Sequence, residues 1–136
     1  MTESGGGSRA STSVAIAVLW RDGRVLVRQR RQDETLPGLW EFPGGKVLAG
    51  ESPERAARRE AREEMRVEVS GLALLDLIEH DYPDRRVRIT VYEGTCSGEP
   101  SPPDGAQWAW VTPAELASLP VPEANHGLVV RLAGTR

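Results

Sequence analysis

The densest charge in the chain lies between Glu51 and Glu68, where Glu51, Glu54, Glu60, Glu63, Glu64 and Glu68 fall close together. On a helix of about 3.6 residues per turn, Glu60, Glu63 and Glu64 stand at i, i+3 and i+4, within an arc of roughly 100°. Three carboxylates on one face repel each other unless something cationic lies among them. Arg55, Arg58, Arg59, Arg62 and Arg66 are expected on the flank away from them. Hard divalent ions favour such oxygens, and Mg²⁺ combines a few carboxylates with several retained waters. The chemistry open to that arrangement is metal-assisted attack by water, with a carboxylate helping to take the proton. The competing reading is a solvated helix laced with ion pairs, which is what most charge runs are.

The elements that must position these acids can be read around them. Ser52-Pro53-Glu54 opens a helix, because Ser accepts free amides and Pro suits the first helical position. The helix should run to about Arg66, with Ala57, Ala61 and Met65 as a narrow apolar stripe that lets it pack closely on a sheet. Val14 to Trp20 and Val25 to about Arg31 are strands joined at Asp22-Gly23, a hairpin signal. Residues 32–40 form a loop broken at Leu36-Pro37-Gly38. Leu72 to His80 reads as a strand. In the next segment Val87, Ile89 and Val91 alternate with Arg86, Arg88 and Thr90, the period of a half-buried strand. Gly98 to Gly105 is a loop and Trp108 to Thr112 a short strand. Thr112-Pro113-Ala114-Glu115 is a capping box, and Glu123 to Ala133 is a final helix after Pro120 and Pro122. The result is a mixed sheet with helices packed on it, α/β or α+β.

Composition bounds the answer further. The 136 residues suit one domain, with residues 1–13, rich in Gly, Ser and Thr, as a flexible N-terminal tail. Lys+Arg is 17 against Asp+Glu 20, which argues against a basic face for a nucleic acid polymer or a membrane surface. Sixteen of the basic residues are Arg and one is Lys46. Cys96 is the only cysteine, which excludes an internal disulfide and fits a reducing, cytoplasmic setting. The apolar run Val14 to Trp20 is too short to span a bilayer.

The spacing narrows the chemistry. Gly45 is followed after five residues by Glu51, and after seven more by Arg59-Glu60-Ala61-Arg62-Glu63-Glu64. Six fixed positions would match by chance about once in 10⁵ sequences or less. The pattern resembles the Nudix box. Two positions depart from it: Arg66 replaces the usual glycine, and small Ala61 stands at an aliphatic position. The resemblance implies a Nudix fold over residues 14–136, a mixed β-sheet sandwiched between helices with a loop–helix–loop catalytic motif. It implies a hydrolase that binds Mg²⁺, or Mn²⁺ in its place, and cleaves a diphosphate joined to another moiety. Carried over residue by residue, Glu60, Glu63 and Glu64 are metal ligands together with the backbone carbonyl of Gly44. Arg59 orients the glutamates, and Glu51 is an outer carboxylate that supports the metal or positions water.

The resemblance reaches past the box to the MutT branch, which sanitises nucleotide pools. It rests on Leu39-Trp40-Glu41-Phe42-Pro43-Gly44-Gly45-Lys46, on Tyr82-Pro83-Asp84-Arg85, on Gly98-Glu99-Pro100, on Trp110 and on Pro122-Glu123-Ala124-Asn125. It implies substrate contacts at Arg30, Glu41, Phe42, Pro43, Arg85 and Asn125, with Arg30 on phosphate and Asn125 reading the base. Asp104 falls where the branch has a glutamate that joins the metal site. Each has a plainer alternative: Phe42 as core, Asp104 as the Asp of a Pro-Asp-Gly turn, Arg85 as a hairpin residue, Asn125 as a helix cap. Trp40, Trp108 and Trp110 weigh toward packing, Cys96 toward a buried small side chain, and His80 and His126 carry no assigned role.

The implied reaction is Mg²⁺-dependent hydrolysis of a nucleoside triphosphate to monophosphate and pyrophosphate, with 8-oxo-dGTP first among substrates. Alternatives are a cytidine nucleotide, a dihydropterin triphosphate, a dinucleoside polyphosphate, or a non-catalytic nucleotide-binding module. The expected partner is the nucleotide alone, with the protein a monomer or homodimer.

Overall fold

A computed structural model describes residues 10–134. Its first strand, β1 (Ala10–Arg21), is apolar from Val14 to Trp20 because it is covered on both faces. Ala15, Ala17 and Leu19 point to one core, while Ile16 and Val18 point to the other. β1 turns at Asp22-Gly23 into β2 (Arg24–Gln29), the expected hairpin. Short strands β3 (Trp40–Glu41) and β4 (Gly44–Lys46) follow, then helix α1 (Pro53–Met65). The long strands β5 (Glu68–Tyr82) and β6 (Arg85–Ser97) pair antiparallel, and β7 (Trp108–Val111) pairs with β2. Helix α2 (Pro113–Leu116), a 3₁₀ turn (Glu123–Asn125) and helix α3 (His126–Gly134) complete the described chain.

The sheet runs β3-β2-β1-β6-β5, with β4 on β1 and β7 on β2. Only β1 and β6 run parallel, so the sheet is mixed. One face carries α1, whose Ala56, Ala57, Ala61 and Met65 pack on Ala15, Ala17 and Leu26. Small residues on both sides let the helix axis come close to the sheet. The opposite face carries α2 and α3 through Leu116, Leu128, Val129 and Leu132 against Ile16, Val18, Val27 and Val91. The sandwich expected from the sequence is therefore present. Among the described residues no helix is long and apolar enough to cross a membrane.

Some expectations need correction. Residues 10–13, placed in the tail, lie in β1: Ala10 to Ser13 run beside Arg85 to Arg88. Their Ser/Thr composition suits an edge extension as well as a coil, and only the partner strand decides. The rest of the tail, residues 1–9, lies outside the described residues. β3 begins at Trp40, the last residue of the expected loop, and β4 falls where no element was expected, because two or three residues give no period to detect. Cys96 is half-buried rather than buried, beside the Arg21 guanidinium.

Arg66 closes α1 in the left-handed region, with φ 57° and ψ 39°, and its N–H reaches the Arg62 carbonyl at 2.9 Å. The backbone thus makes the turn a glycine would make, with a side chain that strains it. Arg66→Gly should stabilise the protein by about 1 kcal/mol at most, since glycine also gains freedom when unfolded. A denaturant titration would read this as a higher midpoint with an unchanged slope.

Candidate active site

Helix α1 starts at Ser52, whose hydroxyl accepts the Arg55 N–H at 3.2 Å. Its buried alanines fix the rotation, which turns Glu60 and Glu64 toward β4. A Cβ on Gly45 would come within 2.5 Å of Glu60 Oε2, and one on Gly44 would strike the Ala15 carbonyl at 2.5 Å. Gly44 is therefore required where β4 lies against β1, whereas a side chain on Gly45 would displace the Glu60 carboxylate. The Gly44 N–H donates to Glu64 Oε1 at 3.1 Å.

The two carboxylates sit in different surroundings from their neighbours. Burial, with the nearby charges of Glu41 and Glu60, pushes the Glu64 carboxyl up to about 8, although the Gly44 amide acts the other way. Burial also raises Glu60, against the pull of Arg59. Glu51 is lowered, chiefly by its hydrogen bonds from Arg59 and also by the Leu48 amide. Glu63 is mostly exposed.

Arg59 is the hub of the acidic face. It donates to both oxygens of Glu51 at 2.8 and 3.0 Å, to Glu60 Oε2 at 2.9 Å, to Glu63 Oε1 at 3.2 Å and to the Lys46 carbonyl at 3.0 Å. This corrects the expectation that Arg59 lies on the flank away from the acids. Arg59 and Glu63 are four residues apart, so they are separated by only about 40° around the helix.

A cleft of about 370 Å³ opens beside Glu64, lined in part by β1, β4 and the facing ends of β5 and β6. It brings together Arg30, Glu41, Phe42, Arg85 and Asn125, all expected at the substrate site, with Gly44 and Glu64, expected at the metal. Pro43 is buried behind this wall, and Glu51, Arg59, Glu60 and Glu63 do not line it. Phe42 does both jobs that the sequence left open: it is 4% exposed within the core and also lines the cleft. Asn125 is 7% exposed in the 3₁₀ turn, with its residue on the cleft wall. The Arg85 guanidinium lies over the Tyr82 ring at 5.5 Å, at the β5–β6 turn. Thr12, Lys46 and Tyr82 also line the cleft. Lys46 and Tyr82 stand in segments that carry the MutT resemblance but have no role assigned from it, and Thr12 falls in the expected tail.

A second recess, of about 190 Å³, shares Glu64 and includes Glu63, Glu34, Asp104 and Arg28. Asp104 belongs to a turn: Gly105 N–H reaches the Pro102 carbonyl at 3.1 Å, and Asp104 Oδ1 accepts the Ala106 N–H at 3.1 Å. Its Oδ2 accepts from Arg28 Nη2 at 2.9 Å and lies 3.2 Å from Arg31. The turn reading is thus realised, and it places the carboxylate in the same recess as Glu63 and Glu64. Arg28 has no signal in the sequence, where it merely follows the apolar run Val25 to Val27.

A sequence profile described as the NUDIX domain matches residues 14–131. This chain belongs to the Nudix family. A relative named 8-oxo-dGTP diphosphatase from Haemophilus influenzae is 33% identical over 81% of this chain and 82% of its own length. The protein of the same name from Proteus vulgaris is 39% identical over 53% of this chain, and that match spans 64% of the Proteus protein. A CTP pyrophosphohydrolase from Escherichia coli is 46% identical over 42% of each chain. A solved MutT structure, from work on Aliivibrio salmonicida and Vibrio cholerae, is 29% identical and superposes with a TM-score of 0.80 over 93% of this chain and 99% of that one. The chain is a pyrophosphohydrolase of the Nudix family.

The Nudix box is complete in its acids, and the site fits a hard divalent cation. Glu60 and Glu64 stand one turn apart and are both desolvated, so their charged forms call for a positive partner. Their oxygens are the donors Mg²⁺ and Mn²⁺ prefer. Among the described residues no three His, Cys, Asp or Glu side chains form a ready cage. A cation that keeps several waters does not need one.

Proposed function

We propose that this Nudix enzyme hydrolyses a nucleoside triphosphate to the monophosphate and pyrophosphate, with Mg²⁺ as cofactor and 8-oxo-dGTP as preferred substrate. The observation that carries this reading is one continuous cleft with Glu64 on one wall and a buried Asn125 on another. A nucleotide laid in it places a base against Asn125 and Phe42 and its phosphates toward Arg30 and Glu64. Glu60, Glu63, Glu64 and the Gly44 carbonyl would hold Mg²⁺, which when bound would neutralise charge at the phosphate oxygens and activate water. Arg30 provides a guanidinium for phosphate. Arg59 keeps Glu51, Glu60 and Glu63 in fixed relation. Glu64 Oε1 is engaged by Gly44, which leaves Oε2 to face cation or water. The likeness to named 8-oxo-dGTP diphosphatases supports the substrate, and the CTP pyrophosphohydrolase supports a cytidine nucleotide as the second reading. A non-catalytic binding module has no need of the complete acidic set.

The test is turnover on a panel of oxidised and normal nucleoside triphosphates, ranked by kcat/KM. The expected products are pyrophosphate and monophosphate from 8-oxo-dGTP. With ¹⁸O-water, label should enter pyrophosphate, which marks attack at the β-phosphorus. A first rank for CTP would move the assignment to the second reading. Absence of pyrophosphate from every triphosphate would overturn both.

A stability measurement tests the cation. In EDTA-treated protein, Glu64 holds its proton up to about pH 8 when folded, against an ordinary 4.5. The folded state then binds more protons than the unfolded one, so stability falls as pH rises from 4.5 toward 8. Mg²⁺ stabilises the ionised pair and should raise Tm, by more at pH 8 than at pH 6. Melting curves at the two pH values, with and without Mg²⁺, check this; an equal or absent rise would count against these ligands.

A further inference from the structure

Among the described residues Arg28 is the one buried cation, with 3% of the residue exposed. Its fork spans two carboxylates: Nη1 donates to Glu41 Oε2 at 2.9 Å, and Nη2 donates to Asp104 Oδ2 at 2.9 Å. Glu34 Oε1 lies 3.5 Å from Nη2. Nε is buried without a hydrogen-bond partner among the described residues. A buried guanidinium is costly to desolvate, and an apolar residue of similar volume at such a place is often no less stable. Packing alone therefore gives little reason for an arginine here.

Glu41 supplies a reason. It is shared between two arginines two residues apart on the same face of the chain. Arg28 holds Oε2 at 2.9 Å, while Arg30 Nη1 reaches Oε1 and Oε2 at the longer distances of 3.2 and 3.4 Å. The Arg30 Nε and Nη2 donate to the Thr35 carbonyl and hydroxyl, which leaves Nη1 as the group turned to the cleft. Arg30 and Glu41 line the substrate cleft, and Arg28 does not. With Arg28 in place, much of the Glu41 charge is already neutralised, so Arg30 is aimed by Glu41 without being consumed by it. Without Arg28, Glu41 would draw Arg30 into a tight pair and compete with phosphate for it.

On the proposed reading that a nucleotide's phosphates meet Arg30, we propose that Arg28 is a positioning residue, which sets phosphate affinity by holding Glu41 so that the Arg30 guanidinium stays available at the cleft wall. Arg28→Lys keeps the charge but cannot span both carboxylates. It should raise KM for the best triphosphate about fivefold or more, with kcat changed less than about threefold. In an Arg30→Gln background the same substitution should shift KM less than about twofold, because the residue it acts through is gone. Equal shifts in the two backgrounds would show that Arg28 only supports the fold, and would overturn the proposal. If Arg28→Lys does not fold, Arg28→Gln, which leaves Glu41 charged without the guanidinium fork that holds it, replaces it in the same cycle, with the same expectation and the same overturning result. Inorganic triphosphate binding, followed by calorimetry with Mg²⁺ in all four proteins, keeps this separate from the choice of nucleotide. Non-additive loss of binding supports Arg28 even where the nucleotide panel fails, and additive loss overturns it even where the panel succeeds.

Discussion

Glu64→Gln is expected to cut kcat on the order of 10²-fold or more and at the same time to make the metal-free protein more stable. Both effects follow from one environment. Glu64 is the box carboxylate that reaches the substrate cleft, and its Oε1 is fixed by the Gly44 amide at 3.1 Å. Glutamine keeps the shape and can still accept that amide hydrogen through its side-chain oxygen. It loses the negative charge that a cation or an attacking water requires, so the chemical step suffers rather than the fold. Stability moves the other way. At neutral pH the folded, metal-free protein must take up a proton at Glu64, whose carboxyl is pushed to about 8, while the unfolded chain leaves it ionised. That uptake costs on the order of 3 kcal/mol at pH 7 by linkage, and glutamine avoids it. The measurements are steady-state kinetics on the best triphosphate and melting curves in EDTA. Near-wild-type turnover would remove Glu64 from the catalytic set. A lower Tm in EDTA would mean that its carboxylate holds the fold together instead of straining it. A residue that weakens the fold and carries the reaction is the expected trade at an active site.

What the sequence made legible follows the physics of each signal. The run from Val14 to Trp20 and the stripe of Ala57, Ala61 and Met65 announced a twice-covered strand and a closely packed helix, because burial acts directly on composition. The capping box at Thr112 was equally plain: Thr112 Oγ1 accepts the Glu115 N–H at 3.1 Å, and Glu115 returns the bond at 2.8 Å. The box acids could be read because their spacing on a helix is periodic. Arg59 was placed on the wrong flank although its angle to Glu63 was available from the same arithmetic. The residues that escaped depend on contacts distant in sequence. Arg28 meets Asp104 across 76 positions, and Thr12 enters the cleft only because β6 extends β1 toward Ala10. No local pattern encodes either. Phe42 and Asp104 show a further limit, since the structural and functional readings of each are realised together.

Asn125→Ala is expected to lower the ratio of kcat/KM for 8-oxo-dGTP over dGTP at least tenfold, from a large value in the wild type. Normal guanine presents two acceptors on its outer edge, O6 and N7, which suit a double donor. Oxidation at C8 places a hydrogen on N7, so the edge becomes one acceptor and one donor. An asparagine amide offers one donor and one acceptor at the same end. It can meet O6 and N7–H together, but it sets its oxygen against the bare N7 of normal guanine. A good bidentate pair gives roughly 1–3 kcal/mol of discrimination. The surroundings of Asn125 favour the upper part of that range: it is 7% exposed, with Phe42 at 4% on the same cleft. Water has little room there to repair a mismatch, and a buried pair of unmatched acceptors is costly. Alanine removes both the match and the mismatch, so it should slow 8-oxo-dGTP far more than dGTP. Equal slowing of the two would reduce Asn125 to a support for the turn before α3. A wild type without preference would direct the search to the cytidine nucleotides, whose ring edge carries a different pattern of donors and acceptors.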